Sequence, residues 1–135
     1  MTKVLVVEDT ATFRAILRHQ LIGIGINNVW MAADGEEALG MLQLEPDIDA
    51  IICDWHMHPM DGLTFCAKIR GVQALAGREI PVLFMTADPK LGDPEKRARM
   101  IEPAKSIGIV EILTKPFNST ELKETLSRCL GIALP

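Results

Sequence analysis

Five polar residues of this chain each stand at or just past the end of a short apolar run. Glu8 and Asp9 follow Val4-Leu5-Val6-Val7, Asp54 follows Ile51-Ile52-Cys53, and Thr86 follows Val82-Leu83-Phe84-Met85. Lys115 follows the run 109–113, with Thr114 between. In an open parallel α/β sheet, ligands bind outside the carboxyl ends of the strands. If these runs are parallel neighbouring strands, three carboxylates, one hydroxyl and one ammonium converge on a single pocket. Left alone in one cleft, the carboxylates repel. A hard divalent cation relieves that repulsion, and Mg²⁺ in particular combines carboxylates with waters and phosphate oxygens. The cation and the Lys115 ammonium together balance the three carboxylates, so the pocket can accept a phosphoryl group. A carboxylate there can serve as a nucleophile and form an aspartyl-phosphate. The cation and Lys115 would neutralise the equatorial oxygens, which is most of what phosphoryl transfer requires. Thr86 can donate a hydroxyl hydrogen bond to one of them.

Taken singly, each residue has a plainer reading. An Asp at a strand end is most often a helix cap. A Thr there is a cap or turn residue, and a Lys before a Pro is ordinarily a surface lysine. The chemical reading gains its weight from all five standing in order on successive strands.

Strand and helix patterns alternate along the chain to position them. Strands are expected at 3–7, 28–33, 48–53, 81–85 and 109–113. The first helix, 11–23, carries Phe13, Ile16, Leu17 and Leu21 at helical spacing. Asp34 and Glu37 make a capping box for the second, and Pro46 stops it. The third covers 62–70. A charged stretch, 94–107, forms the fourth, and Gly108 ends it. Asn118 and Glu121 cap the fifth, whose buried face is Leu122, Leu126, Cys129 and Leu130. Near-continuous Val/Ile/Leu strands indicate a sheet covered on both faces. The chain therefore reads as five βα units in one α/β domain, 1–135, with no output domain.

Bulk composition agrees. At 135 residues, with 48% apolar and 24% charged residues, one self-sufficient core is feasible. A net charge of −4 offers no basic stripe for nucleic acid. Lys96-Arg97-Ala98-Arg99 is flanked by acids and reads as a solvated helix face. Cys53, Cys66 and Cys129 lack CxxC spacing and read as buried thiols of a reducing compartment. No apolar run reaches the ~18 residues of a membrane span. Met1-Thr2-Lys3 runs straight into the first strand, leaving no room for a signal peptide. A cytoplasmic monomer without membrane or nucleic-acid contact is expected.

Several segments together resemble the receiver domain of two-component response regulators, most closely the stand-alone CheY-like, chemotaxis type. They are Val4 to Asp9, Ala33-Asp34-Gly35-Glu36-Glu37-Ala38-Leu39, Asp54-Trp55-His56-Met57 with Met60-Asp61-Gly62, Pro81-Val82-Leu83 through Thr86-Ala87, and Lys115-Pro116-Phe117. The resemblance covers essentially the whole chain. It implies a flavodoxin-like (βα)5 fold with a five-stranded parallel sheet of order 2-1-3-4-5 and helices on both faces. It implies that Asp54 accepts a phosphoryl group from a histidine kinase. Asp9, Asp54 and the His56 backbone carbonyl would ligate Mg²⁺, with Mn²⁺ as a substitute, and Glu8 would act through a bound water. Thr86 and Lys115 would contact the phosphoryl group, and the Lys115-Pro116 peptide is a candidate for the cis form. Phosphorylation would shift a two-state equilibrium in the face formed by the fourth helix, fifth strand and fifth helix. Such a protein catalyses only its own phosphorylation and dephosphorylation. Its partners would be a histidine kinase and a target such as a flagellar motor switch protein or a relay histidine protein.

The chain also departs from that pattern. Ile112 stands at the switch position, where an aromatic residue is usual, and the chain has no tyrosine. The proline after Asp54 has slid by one, to Met57-His58-Pro59-Met60. His56 and His58 could form a transition-metal cluster with Asp54, although loop histidines are usually just polar. His56, Ala87 and Asp88 are expected to modulate the site, His56 and Asp88 by tuning autodephosphorylation. The segment between Thr86 and Lys115 is longer than usual by roughly one to two helical turns. Pro103 falls within its helical pattern, so it either kinks the fourth helix or sits in the first turn of a late-starting one. Among alternatives, a phosphorelay shuttle uses the same site. An aspartate-nucleophile phosphatase needs a second carboxylate where His56 stands. An FMN carrier needs binding loops that are absent here, and no P-loop motif is present.

Overall fold

The computed structural model describes residues 2–57, 60–69, 71–72, 79–87, 93–104, 109–131 and 134. Five strands and five helices alternate: β1 Lys3–Val7, α1 Ala11–Gly23, β2 Asn28–Ala32, α2 Gly35–Leu44, β3 Ala50–Asp54, α3 Gly62–Ile69, β4 Val82–Thr86, α4 Pro94–Ala104, β5 Ile109–Thr114 and α5 Ser119–Leu130. All strand pairs are parallel, in the order β2-β1-β3-β4-β5.

Successive residues of a strand face opposite sides of a sheet, and here they feed two separate cores. Leu5, Val7, Ile51, Cys53, Val82 and Phe84 join Ala38 and Leu42 of α2 and Phe65 and Cys66 of α3. Val4, Val6, Ala50, Ile52, Leu83 and Met85 join Leu17 and Leu21 of α1 and Leu122 and Leu126 of α5. The helix α4 packs on β5 at the sheet edge. The buried strand residues explain the near-continuous apolar runs: β1 from Val4 onward and all of β3 and β4 have no solvent face.

Local signals account for the helix ends. The Asp34 carboxylate accepts from the Glu37 N–H at 2.8 Å. At α5 the box is reciprocal, with Asn118 Oδ1 accepting from the Glu121 N–H and Glu121 Oε1 from the Asn118 N–H. Gly131 closes α5 in the left-handed conformation, φ 67°.

Some boundaries differ from expectation. Asp54 and Thr86 are the last residues of their strands, because the ladder continues to pair Asp54 with Met85 and Thr86 with Thr114. Thr114 likewise belongs to β5. The strand β2 ends at Ala32, and β3 starts at Ala50. The α4 helix starts at Pro94, which rules out the late start. Proline suits a first helical position, where its missing N–H needs no partner, and Asp93 Oδ1 accepts from the Glu95 N–H there. Pro103 lies inside α4, Pro94–Ala104; the residues that follow Ala104, 105–108, lie outside the described residues. Gly108, expected to end the helix, lies outside the described residues. Ile16, expected on the apolar face of α1, is 49% exposed. Cys53 and Cys66 are buried and Cys129 half-buried, with no disulfide among the described residues. Burial pushes the Cys53 thiol well up and that of Cys129 to about 12, which leaves both poor nucleophiles. No described helix is long and apolar enough to cross a membrane.

Candidate functional site

The parallel register places the ends of β1, β3, β4 and β5 side by side. Just past β1, the Glu8 N–H donates to the Ala32 carbonyl at 3.1 Å, extending the ladder toward β2 by one bond. This turns the Glu8 side chain inward, to 1% exposure, whereas Asp9 remains exposed. Asp54 closes β3 and is 7% exposed. One carboxylate oxygen from each of Glu8, Asp9 and Asp54 lies within 4.8 Å of the other two. This all-oxygen donor set suits a hard divalent cation, so the residues present fit such an ion. No other described group of histidine, cysteine and acidic residues meets the same geometry.

Lys115 supplies the counter-charge. Its ammonium donates to Glu8 Oε2 at 3.0 Å and to Asp54 Oδ2 at 3.3 Å, crossing from β5 to β1 and β3. The Glu8 carboxylate also accepts from the Thr10 N–H at 3.1 Å. Burial is the largest influence on Glu8 and raises its pKa above the ordinary carboxylate value, as does the charge of Asp54. The hydrogen bonds from Lys115 and Thr10 work in the opposite direction without cancelling the rise.

Thr86 ends β4 and is 1% exposed. The Lys115 N–H donates to the Thr86 carbonyl at 2.7 Å, so the hydroxyl-bearing and ammonium-bearing residues share one ladder bond. The Lys115-Pro116 peptide is cis. Ile112, at 3% exposure, belongs to the core beneath α2 and α3. His56 and Ala87 are exposed beside the site. Asp88 and His58 lie outside the described residues, and with His58 the possible histidine cluster.

The loop after Asp54 is held closely. The Trp55 N–H donates to the Met85 carbonyl at 2.9 Å, and the Gly62 N–H to the Trp55 carbonyl at 3.0 Å. A Cβ on Gly62 would lie 2.6 Å from the Phe84 ring and 2.8 Å from the Asp54 carbonyl oxygen. Trp55 packs on Phe84 with ring centroids 5.0 Å apart.

Three contacts were not legible beforehand. Arg14 Nη1 donates to the Glu8 carbonyl at 2.6 Å. Phe13, read as helix core, lies beneath the Lys115 ammonium, 4.1 Å from it to the ring centroid. The Met60-Asp61-Gly62 motif does not by itself reveal the close approach of Phe84 and the Asp54 carbonyl to Gly62. The available signal was a Phe-Arg pair in the first turn of the helix that follows Glu8 and Asp9.

Residues 4–127 match the family model described as the response regulator receiver domain. Chemotaxis protein CheY-3 of Vibrio cholerae is 36% identical over 93% of this chain and 89% of its own length. CheY of Pseudomonas aeruginosa is 33% identical, over 93% and 94%. The structure of the Vibrio cholerae chemotaxis response regulator CheY4 superposes with a TM-score of 0.77 at 35% identity, covering 96% of this chain and 99% of that one. The receiver domain of a Pseudomonas aeruginosa sensor histidine kinase, solved with a magnesium ion coordinated in its active-site cleft, gives a TM-score of 0.76 at 27% identity, over 96% and 98%.

Proposed function

Since this chain belongs to the response regulator receiver family, we propose that it is a phosphorylation-controlled switch whose acceptor is Asp54. The observation that carries this reading is the convergence of Glu8, Asp9 and Asp54 within 4.8 Å, with the Lys115 ammonium joining Glu8 to Asp54. The donor is a phosphohistidine of a histidine kinase. An Asp54 carboxylate oxygen attacks phosphorus, and the bond from phosphorus to the donor group breaks. Lys115 and the Thr86 hydroxyl receive the phosphoryl oxygens. Asp9, Asp54 and the His56 carbonyl would hold Mg²⁺, with Glu8 acting through a water, and Mn²⁺ would substitute. The bound ion supplies positive charge to the transferring group. His56 and Asp88, together with Ala87, set how readily water reaches the acyl phosphate.

The protein acts as a signalling switch and not as an enzyme on a separate substrate. CheY-3 of Vibrio cholerae and CheY of Pseudomonas aeruginosa are chemotaxis proteins, so a cytoplasmic role in chemotaxis is proposed, with a motor-switch or relay protein as the target. The responding surface is the α4-β5-α5 face. With Ile112 buried and no tyrosine in the chain, the response passes through packing around Thr86 and Ile112 and is smaller than an aromatic rotation would give.

Incubation with Mg²⁺ and acetyl phosphate, followed by intact mass spectrometry, tests the chemistry. One added phosphoryl group is expected, lost in Asp54→Asn and without the cation. An unmodified wild-type mass refutes the reading.

A further inference from the structure

We propose that Phe13 is a positioning residue for phosphoryl transfer, its ring face serving as a neutral seat for the Lys115 ammonium. This rests on the phosphoryl-accepting reading above and adds a residue to it. A lysine is a point charge on a flexible four-carbon stem, so its placement needs a cause. Two of its partners are the Glu8 and Asp54 carboxylates, at 3.0 and 3.3 Å. Both belong to the cluster that would hold the divalent cation, and their pull on the ammonium falls when they share their charge with it. The Phe13 ring, 4.1 Å away, does not. An aromatic face attracts a cation through its quadrupole. It neither neutralises the charge nor occupies the N–H donors. A third carboxylate would hold the ammonium more firmly but would cancel the charge that the phosphoryl oxygens need.

The seat is itself braced. Phe13 stands in the first turn of α1 and meets Phe117 edge-on, with centroids 6.0 Å apart and planes at 89°. The Phe117 carbonyl accepts from Gln20 Nε2, one side-chain bond further along α1, at 3.3 Å. Both rings pack on the core beneath α1 and α5. The elements carrying Lys115 and its seat are therefore tied together on one side of the sheet.

Phe13→Leu removes the ring while keeping an apolar side chain, and Phe13→Tyr keeps the aromatic face. Two measurements separate the seat from general packing. The first is the rate of Asp54 phosphorylation by acetyl phosphate in saturating Mg²⁺. It should fall roughly two- to tenfold in Phe13→Leu and return toward wild type in Phe13→Tyr. The second is the ring-current shift of the Lys115 ε-methylene protons by NMR, expected in wild type and Phe13→Tyr and lost in Phe13→Leu. The proposal is overturned if Phe13→Leu phosphorylates at the wild-type rate, or if both variants slow equally. If wild type takes no phosphoryl group, the parent reading fails. The ring-current shift then judges the seat alone, and its absence overturns it.

Discussion

Burial lifts the Glu8 carboxyl above its ordinary value of 4.5, while Lys115 and the Thr10 N–H draw it back. The sign of this balance sets a pH dependence. Because the folded-state pKa is raised, charging Glu8 costs stability as pH climbs from the ordinary value through the raised one. A cation held by the cluster relieves that cost and needs Glu8 charged. Affinity for Mg²⁺ should therefore fall with decreasing pH while still above the usual carboxylate range. Glu8→Gln should bind more weakly and lose that part of the dependence. Calorimetric titration at several mildly acidic pH values checks this, and parallel profiles for the two proteins would contradict it.

Among the elements, the β3–α3 connection is the most constrained near the site. A methyl group at Gly62 would clash with both the Phe84 ring and the Asp54 carbonyl oxygen. Gly62→Ala should destabilise the fold by about 1–3 kcal/mol and also weaken Mg²⁺ binding, because the displaced atoms carry Asp54. Denaturant unfolding and metal titration on the same variant check both. An unchanged metal affinity would show that the loop yields without moving the carboxylate. The α5 capping box was readable as Asn118 and Glu121 because caps are local in sequence. The five strands were readable because burial on both faces leaves unbroken apolar runs. What local pattern lacked was direction and register. It could not show that Asp54 pairs within the ladder, and it ended β3 one residue early. Helical spacing told that Phe13 faces inward, but not that a lysine from the far end of the chain lies over it. The strand order came only from the resemblance, since periodicity carries no information about which strands are neighbours.

Across the molecule, the sheet separates two oily layers, one beneath α2 and α3 and the other beneath α1 and α5. Function sits at one end of that partition, where β1, β3 and β5 deliver acids and an ammonium to a common point. The opposite end is pinned differently. Lys3 Nζ meets Asp47 at 2.7 Å and Glu45 at 3.2 Å, and the Lys3 N–H donates to Asp49 at 2.8 Å. The partition has an energetic consequence for neighbours in the chain. Ile51 and Ile52 are adjacent yet belong to different layers, whereas Ile51 and Leu5 are register partners within one. Ile51→Val and Ile52→Val should each cost about 0.5–1.5 kcal/mol. In a double-mutant cycle measured by urea unfolding, their effects should sum. Ile51→Val with Leu5→Val should deviate from the sum, because both trim the same packed surface. Covalent adjacency and energetic coupling thus run at right angles in this protein: bonded neighbours are strangers, and residues 46 apart along the chain share one packed layer.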